Sequence, residues 1–398
     1  MSAPAKSAIV VVSYRGEPSS DELERLAREG QRPRKDYVEV ARALGADIID
    51  AHYMTHRASP LARCVAARIG MPAGQVVEGF LKRKRYRSIC TWGDRIGLPL
   101  ALLYKLTRSR ADLVLMSAWV SRWKKAVFLR YLKVHTHLRA IVSYSSVQMT
   151  IAATKLGVPE NKLYHGKQPV DDHFWRPTPG PREQLICSVG WEARDYGTLL
   201  TATAGMELQV ELAIGIAGFT ALGDGTPAQG AASRGRTAGR AASAPAQGFK
   251  RLRRTYSYRL FRDWSQEVDR VGLPSNVQVS YQLSPLQLRA LYDRALFVVI
   301  PLHDVPSDCG VTALTEAMAM GKAVVLTRTS GQVDILCDRE HGIYVAPGDP
   351  AALRAAIHYL VSHPDERERM GRAGRERVER DHRLDDYISR VAAIVGGT

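Results

Sequence analysis

"PSDCGVTALTEAMAMGKAVV", residues 306–325, sets an acid, a glycine and a second acid between two apolar runs. The run before it, "ALFVVIPL" (295–302), reads as a buried strand, and "HDVPSDCG" (303–310) reads as a loop. "VTALTEAMAMG" (311–321) has helical spacing and stops at Gly321, and "KAVVLT" (322–327) is the next strand. A loop at the C-terminal edge of a parallel strand is where open α/β sheets bind ligands. Gly310 permits close backbone approach, and the amides of Val311 and Thr312 open a helix whose positive end favours an anion. Asp308 lies just before that helix and Glu316 inside it, so the two carboxylates bracket an anion site and can accept hydrogen bonds from hydroxyls. The plainer alternative makes Asp308 a helix cap and Glu316 a solvated side chain, with Ala313, Ala317 and Met320 as core.

Outward from this stretch, short apolar runs alternate with helical segments along the chain. "AIVVV" (8–12), "ADIID" (46–50), "ADLVLM" (111–116), "AIVSYSS" (140–146), "QLICSVG" (184–190), "ELAIGIAG" (211–218), "NVQVS" (276–280) and "GIYVAP" (342–347) are further strand candidates. This alternation predicts an α/β fold of doubly wound parallel sheets. At 398 residues the chain is long enough for two domains. The Pro-rich stretch 173–183 is the expected linker between an N-terminal domain, 1–172, and a C-terminal domain, 184–380. Residues 222–248 are Ala, Gly, Ser, Pro and Arg with almost no large apolar side chain, the composition of a disordered insertion.

Composition narrows the function classes. Five cysteines without a C-x-x-C pair indicate neither a disulfide framework nor a zinc site, and a reducing cytoplasm is the expected location. No apolar run reaches the length of a membrane span. Fifty-six Lys and Arg against 40 Asp and Glu give +16, which favours polyanions, anionic lipid or phosphorylated small molecules. No Asp-x-Asp triplet occurs, so neither a metal nor another cofactor is expected.

The stretch "SDCGVTALTEAMAMGKAVV" resembles the acid, glycine and acid pattern of retaining glycosyltransferases of the GT-B fold, family 4, with Asp308 in place of the first glutamate. The resemblance continues through 271–302 before it and 331–382 after it. It implies two Rossmann-like domains facing across a cleft, the C-terminal one holding a nucleotide-diphosphate sugar, UDP- or GDP-linked, and the N-terminal one the acceptor. By that resemblance Glu316 would bind the ribose hydroxyls, Asp308 the hexose hydroxyls, and the amides of Gly310, Val311 and Thr312 the diphosphate or sugar. "SVGWEARDYGTLLTAT" (188–203) resembles the phosphate-binding segment, with Arg194 at the expected lysine but Trp191 where the family has an arginine. Lys167, in "YHGKQPVDD", is a candidate second cation, against the alternative of a solvated loop charge. Gly16, in "SYRGEP", fits the glycine loop that approaches the donor phosphate from the other domain. Residues 381–398 would form a helix crossing back to the N-terminal domain.

The acceptor half resembles the family less. Where relatives carry a histidine near the sugar, this chain reads Ser117, Ala118 and Trp119, so no base is assigned; His52, His56 and Asp94 are neighbours in sequence. Three basic clusters, 81–88, 121–133 and 249–262, leave open an anionic membrane surface and a peripheral position on the inner membrane face. The middle cluster is either an interfacial helix or a solvated helix whose aromatics face the core. Nucleic acid is disfavoured, because no helix-turn-helix, zinc-finger or RNA-recognition signature accompanies the clusters. Lipid, polysaccharide and small natural product remain open as acceptors. A catalytically degenerate protein that binds a nucleotide sugar, RNA or membrane on the same fold is the competing expectation.

Overall fold

A computed structural model describes residues 8–13, 17–109, 112–215 and 272–397. Gly16, the 222–248 insertion and the 249–262 basic cluster lie outside the described residues.

The first sheet holds β1 (Ala8–Val12), β2 (Asp47–Ile49), β3 (Ser88–Trp92), β4 (Asp112–Ser117), β5 (Ala140–Ser143) and β6 (Leu163–His165), all parallel, in the order β2-β1-β3-β4-β5-β6. The second holds β7 (Leu185–Val189), β8 (Gln209–Ile214), β9 (Val277–Tyr281), β10 (Val298–Ile300), β11 (Val324–Thr327) and β12 (Gly342–Val345), also parallel, in the order β12-β11-β10-β7-β8-β9. Every residue of β1, β3, β5, β7, β10 and β11 is buried. Helices cover both faces, which is why most of these strands read as near-continuous apolar runs; β3, Ser-Ile-Cys-Thr-Trp, carries two polar residues and left no such run in the sequence. Each sheet carries a core on either face, around Ile9, Ile89 and Leu115 and around Val10, Cys90 and Val114 in the first, and around Val298 and Leu326 and around Val299 and Val325 in the second. The strand order reverses between β1 and β3 and again between β7 and β10, which places a ligand crevice at the C-terminal ends of those pairs.

The chain passes between the domains twice, and the two passages lie side by side. Val170 donates to the His382 carbonyl oxygen at 2.9 Å, and Leu384 donates back to that of Val170 at 3.0 Å. Arg34 of the first domain binds Asp171 and Asp385, one from each passage, at 3.0 and 2.7 Å. The helix Pro364–Asp381 belongs to the second domain, where Met370 and Val378 are core. The next helix, Leu384–Gly396, packs on the first domain instead, burying Leu384, Tyr387, Val391 and Val395 against the Val10 and Tyr37 core.

The two facing edges also touch directly. The helix Ser146–Thr154, which follows β5, is capped by its own Ser145, and Asp334 of the other domain accepts from the Ser146 amide at 2.8 Å and from its hydroxyl. Gln148, fully buried, donates through Nε2 to the carbonyl oxygen of Pro306 in the loop after β10.

Candidate active site

The loop after β7 is built around Arg194. Its Nε and Nη2 donate to the Val189 carbonyl oxygen at 2.9 and 2.7 Å, and Nη1 to that of Glu192 at 3.0 Å. The guanidinium folds back over Gly190, where a Cβ would lie 2.3 Å from Nη2 and where φ is +111°. A β-bridge between Arg194 and Leu302 joins this loop to the end of β10. The cation therefore stands at the second sheet's strand-order reversal.

Gly310 faces it. Its φ of +85° is the left-handed turn that opens the helix Val311–Ala319, and a Cβ there would approach Arg194 Nη1 to 3.2 Å and Ile300 Cγ2 to 3.1 Å. The helix has no side-chain cap. The Val311 amide, expected to meet the ligand, instead donates to the Asp308 carbonyl oxygen at 3.2 Å, because the chain closes a tight turn there. Thr312, one residue on, is exposed.

The two carboxylates occupy different surroundings. Glu316 accepts from the Tyr292 hydroxyl at 3.1 Å, and burial pushes its carboxyl up to about 7, against the pull of that hydroxyl and of Lys35 and Arg194. Asp308 is 9% exposed, and the cap to the helix is Gly310 rather than its carboxylate. Burial pushes Asp308 up to about 6; hydrogen bonds from its own amide and the Ser307 hydroxyl oppose this, while nearby Asp334 and Glu192 add to it. Burial thus holds both carboxyls above the ordinary carboxylate range.

Across the cleft, the loop before the helix Asp36–Ala43 supplies Lys35, which pairs with Glu17 at 2.8 Å and whose charge reaches Glu316. Beside it, Asp36 Oδ2 accepts from Trp92 Nε1 at 3.2 Å and from the Tyr144 hydroxyl at 3.3 Å, at the C-terminal ends of β3 and β5. Burial raises this carboxyl as well. Neither residue stood out in the sequence; the charge run "RPRKD" (32–36) was the available signal. Asp94 opens the helix after β3, buried and held by the Ser117 hydroxyl and by Lys125 at 2.5 Å. Lys167 is engaged elsewhere: it pairs with Asp381 at 3.0 Å beside the interdomain passages, in a loop whose φ at 167 is +45°. His52 and His56 lie with ring centres 4.4 Å apart and tilted on one short helix, and His52 lines a separate cavity of about 560 Å³ along β2.

Among the described residues, Cys337, Glu340 and His341 bring metal-ligand atoms within 4.8 Å of one another. They lie just before β12, and His341 Nδ1 accepts the Cys337 amide at 3.2 Å. That leaves the proton of a neutral imidazole on Nε2, facing Glu340 at 3.3 Å, the wrong tautomer for a ligand at that nitrogen.

Residues 262–377 of the chain match the family model for glycosyl transferases group 1. Over 106 residues, 27% of this chain, it is 32% identical to a D-inositol 3-phosphate glycosyltransferase of Segniliparus rotundus, and the match spans 23% of that protein's length. In structure it is similar over 98% of its length to HepE of Anabaena, solved with UDP and glucose, all of which is covered, at TM-score 0.66 and 12% identity. It is similar over 98% of both chains to the sucrose-phosphate synthase of Thermosynechococcus elongatus, at TM-score 0.67 and 15% identity. The fold is the GT-B arrangement of two Rossmann-like domains, as expected from the sequence. The glycosyltransferase resemblance of the C-terminal half is matched by the family model.

Proposed function

We propose that this protein is a retaining glycosyltransferase that moves a hexosyl group from a nucleotide-diphosphate sugar, UDP- or GDP-linked, to an acceptor hydroxyl without a metal. The observation that carries the reading is the convergence of Arg194, the left-handed Gly310 turn, the uncapped N-terminus of helix Val311–Ala319, Asp308 and Glu316 at one strand-order reversal. The family match over 262–377 and the neighbour solved with UDP and glucose support it.

In this reading Glu316, steadied by Tyr292, accepts from the ribose hydroxyls, and Asp308 accepts from those of the hexose. Arg194 and the helix N-terminus meet the diphosphate, with Lys35 as the second cation from the opposite wall, in place of Lys167. As the bond from the anomeric carbon to the phosphate oxygen breaks, the acceptor oxygen bonds to that carbon on the same face. The acceptor's proton passes to the departing phosphoryl oxygen. The protein's work is then positioning and stabilising charge on the leaving group.

The test is a thermal-shift and calorimetric panel of UDP, GDP, ADP and dTDP and their hexose conjugates in EDTA, followed by assay of donor hydrolysis. Stabilisation by one nucleotide and release of its sugar support the transfer. Trp191 at the family's arginine favours one second reading, a degenerate binder, in which the nucleotide stabilises the chain but no sugar is released.

A further inference from the structure

Outside the cleft, one surface is both cationic and apolar. The segment after β4 forms a short helix, Trp123–Ala126, that runs into a π turn, Val127–Tyr131. Its aromatics divide between two faces: Phe128 packs against the core beside buried Leu129, whereas Trp123 is 73% and Tyr131 70% exposed. The π turn, closed by the Leu132 amide on the Val127 carbonyl oxygen at 3.0 Å, takes up one extra residue. Positions 123 and 131 then stand roughly 20° apart around the axis instead of about 80°, as seven residues rather than eight would in a regular helix. Leu132 and Leu106 extend the exposed apolar surface, and Lys105 Nζ ties the two segments by donating to the Leu132 carbonyl oxygen at 2.7 Å.

Cations surround these side chains. Lys124 lies 5.4 Å from the Trp123 ring centre and Arg130 5.6 Å from that of Tyr131, with exposed Lys133 alongside. Among the described residues, no acid pairs with Lys124, Arg130 or Lys133. The 81–88 cluster differs, since Lys82 faces Glu78 and Arg83 stacks on Phe80. The inner side of the segment is fixed to the cleft: Lys125 holds Asp94, and the Ser121 amide donates to Gln148, which also holds the loop at Pro306.

We infer that the face formed by Leu106, Trp123, Lys124, Arg130, Tyr131 and Lys133 docks the protein on an anionic lipid bilayer. Exposed Trp and Tyr bury their rings at the headgroup level while their polar atoms stay wet, and Leu106 and Leu132 enter the acyl boundary. The unpaired cations supply charge complementarity to anionic headgroups. Single-stranded RNA would use the rings for stacking but has no use for the flanking leucines. Docking stands apart from sugar transfer, so either reading can fail alone.

The experiment is flotation of the full chain with vesicles of phosphatidylcholine alone, or mixed with phosphatidylglycerol in about equal parts. Binding to the mixed vesicles only, weakened by salt, is expected. Lys124→Ala, Arg130→Ala and Lys133→Ala together should weaken it about 100-fold, at about fivefold for each cation. Trp123→Ala with Tyr131→Ala should weaken it at unchanged melting temperature. Lys155→Ala, Arg372→Ala and Arg390→Ala, a matched charge change at exposed positions elsewhere, should leave it intact. Absence of vesicle binding, equal loss with the control triple, or RNA binding without vesicle binding would overturn the inference.

Discussion

Arg194 occupies the space that a side chain at Gly190 would fill: a Cβ there would lie 2.3 Å from Nη2 and 2.8 Å from Cζ. The glycine after β7 and the cation four residues later are one device. Gly190→Ala should therefore reproduce Arg194→Ala in binding, although it removes no charge. Either change should lower affinity for the stabilising nucleoside diphosphate by about tenfold to a hundredfold, the range of a lost charged hydrogen bond, and leave that for the bare nucleoside nearly unchanged. Calorimetry with the two ligands checks this; an equal loss for both would place Arg194 away from the phosphates.

Glu316 works against folding at neutral pH. Its pKa is raised to about 7 from an ordinary 4.5, so its stabilising contribution is complete below about 4.5 and lost as pH rises through about 7. Glu316→Gln should raise stability above pH 7 by on the order of 1–3 kcal/mol, have little effect near pH 4, and weaken nucleotide binding. Urea melts at the two pH values, with and without nucleotide, measure both effects.

Most of the fold and the Gly310 turn were legible because local patterns carry them; β3, with Ser88 and Thr91, and the three-residue β6 left no apolar run to read. Fully buried parallel strands leave continuous apolar runs such as "AIVVV", and the left-handed turn at Gly310 leaves a glycine before a helix. Lys35 and Asp36 were not legible, since their place depends on Trp92 and Tyr144, 56 and 108 residues further on. Tyr292 was hidden in the same way, 24 residues before the carboxylate that it supports. The outward turn of Trp123 and Tyr131 escapes a 3.6-residue reading because the π turn shifts the phase midway.

Lys35 and Lys167 each pair with an acid, Glu17 and Asp381, and are set apart by where they stand. Lys35 pulls the Glu316 pKa down from the opposite wall, whereas Lys167 pairs with Asp381 at the interdomain passages. Lys35→Ala should cost about tenfold in diphosphate affinity and move the pH midpoint of Glu316 upward. Lys167→Ala should do neither. Titration of binding against pH for both variants separates the two roles.

Asp334 holds the facing edges together by accepting from the Ser146 amide and hydroxyl at the start of a helix of the other domain. Asp334→Ala should cost about 1–3 kcal/mol, the value of lost hydrogen bonds to a charged group, and should open the cleft, seen as a larger radius of gyration in solution scattering. It also removes a neighbouring charge that raises Asp308, so the Asp308 carboxyl should titrate lower. An unchanged scattering profile would show that the edge contacts at Gln148 suffice.

The helix Leu384–Gly396 is the last element of the second half yet completes the core of the first. Leu384, Tyr387, Val391 and Val395 cover Val10 and Tyr37, and the Tyr387 hydroxyl meets that of Tyr144 at 2.8 Å, one bond from Asp36. Burying four such side chains is worth roughly 5–10 kcal/mol, comparable to the whole stability of a domain. A chain truncated after Arg383 should therefore lose protection of the β1 and β3 amides in hydrogen exchange, while those of β10 and β11 stay protected. Tyr387→Phe removes only the hydroxyl link and should leave both domains folded. The Tyr144 hydroxyl already gives its one proton to Asp36, so Tyr387 donates to Tyr144; loss of that donor removes the polarisation that strengthens the bond to Asp36, and the Asp36 pKa should rise. Full protection of β1 in the truncated chain would show that the first domain closes its core without the crossover.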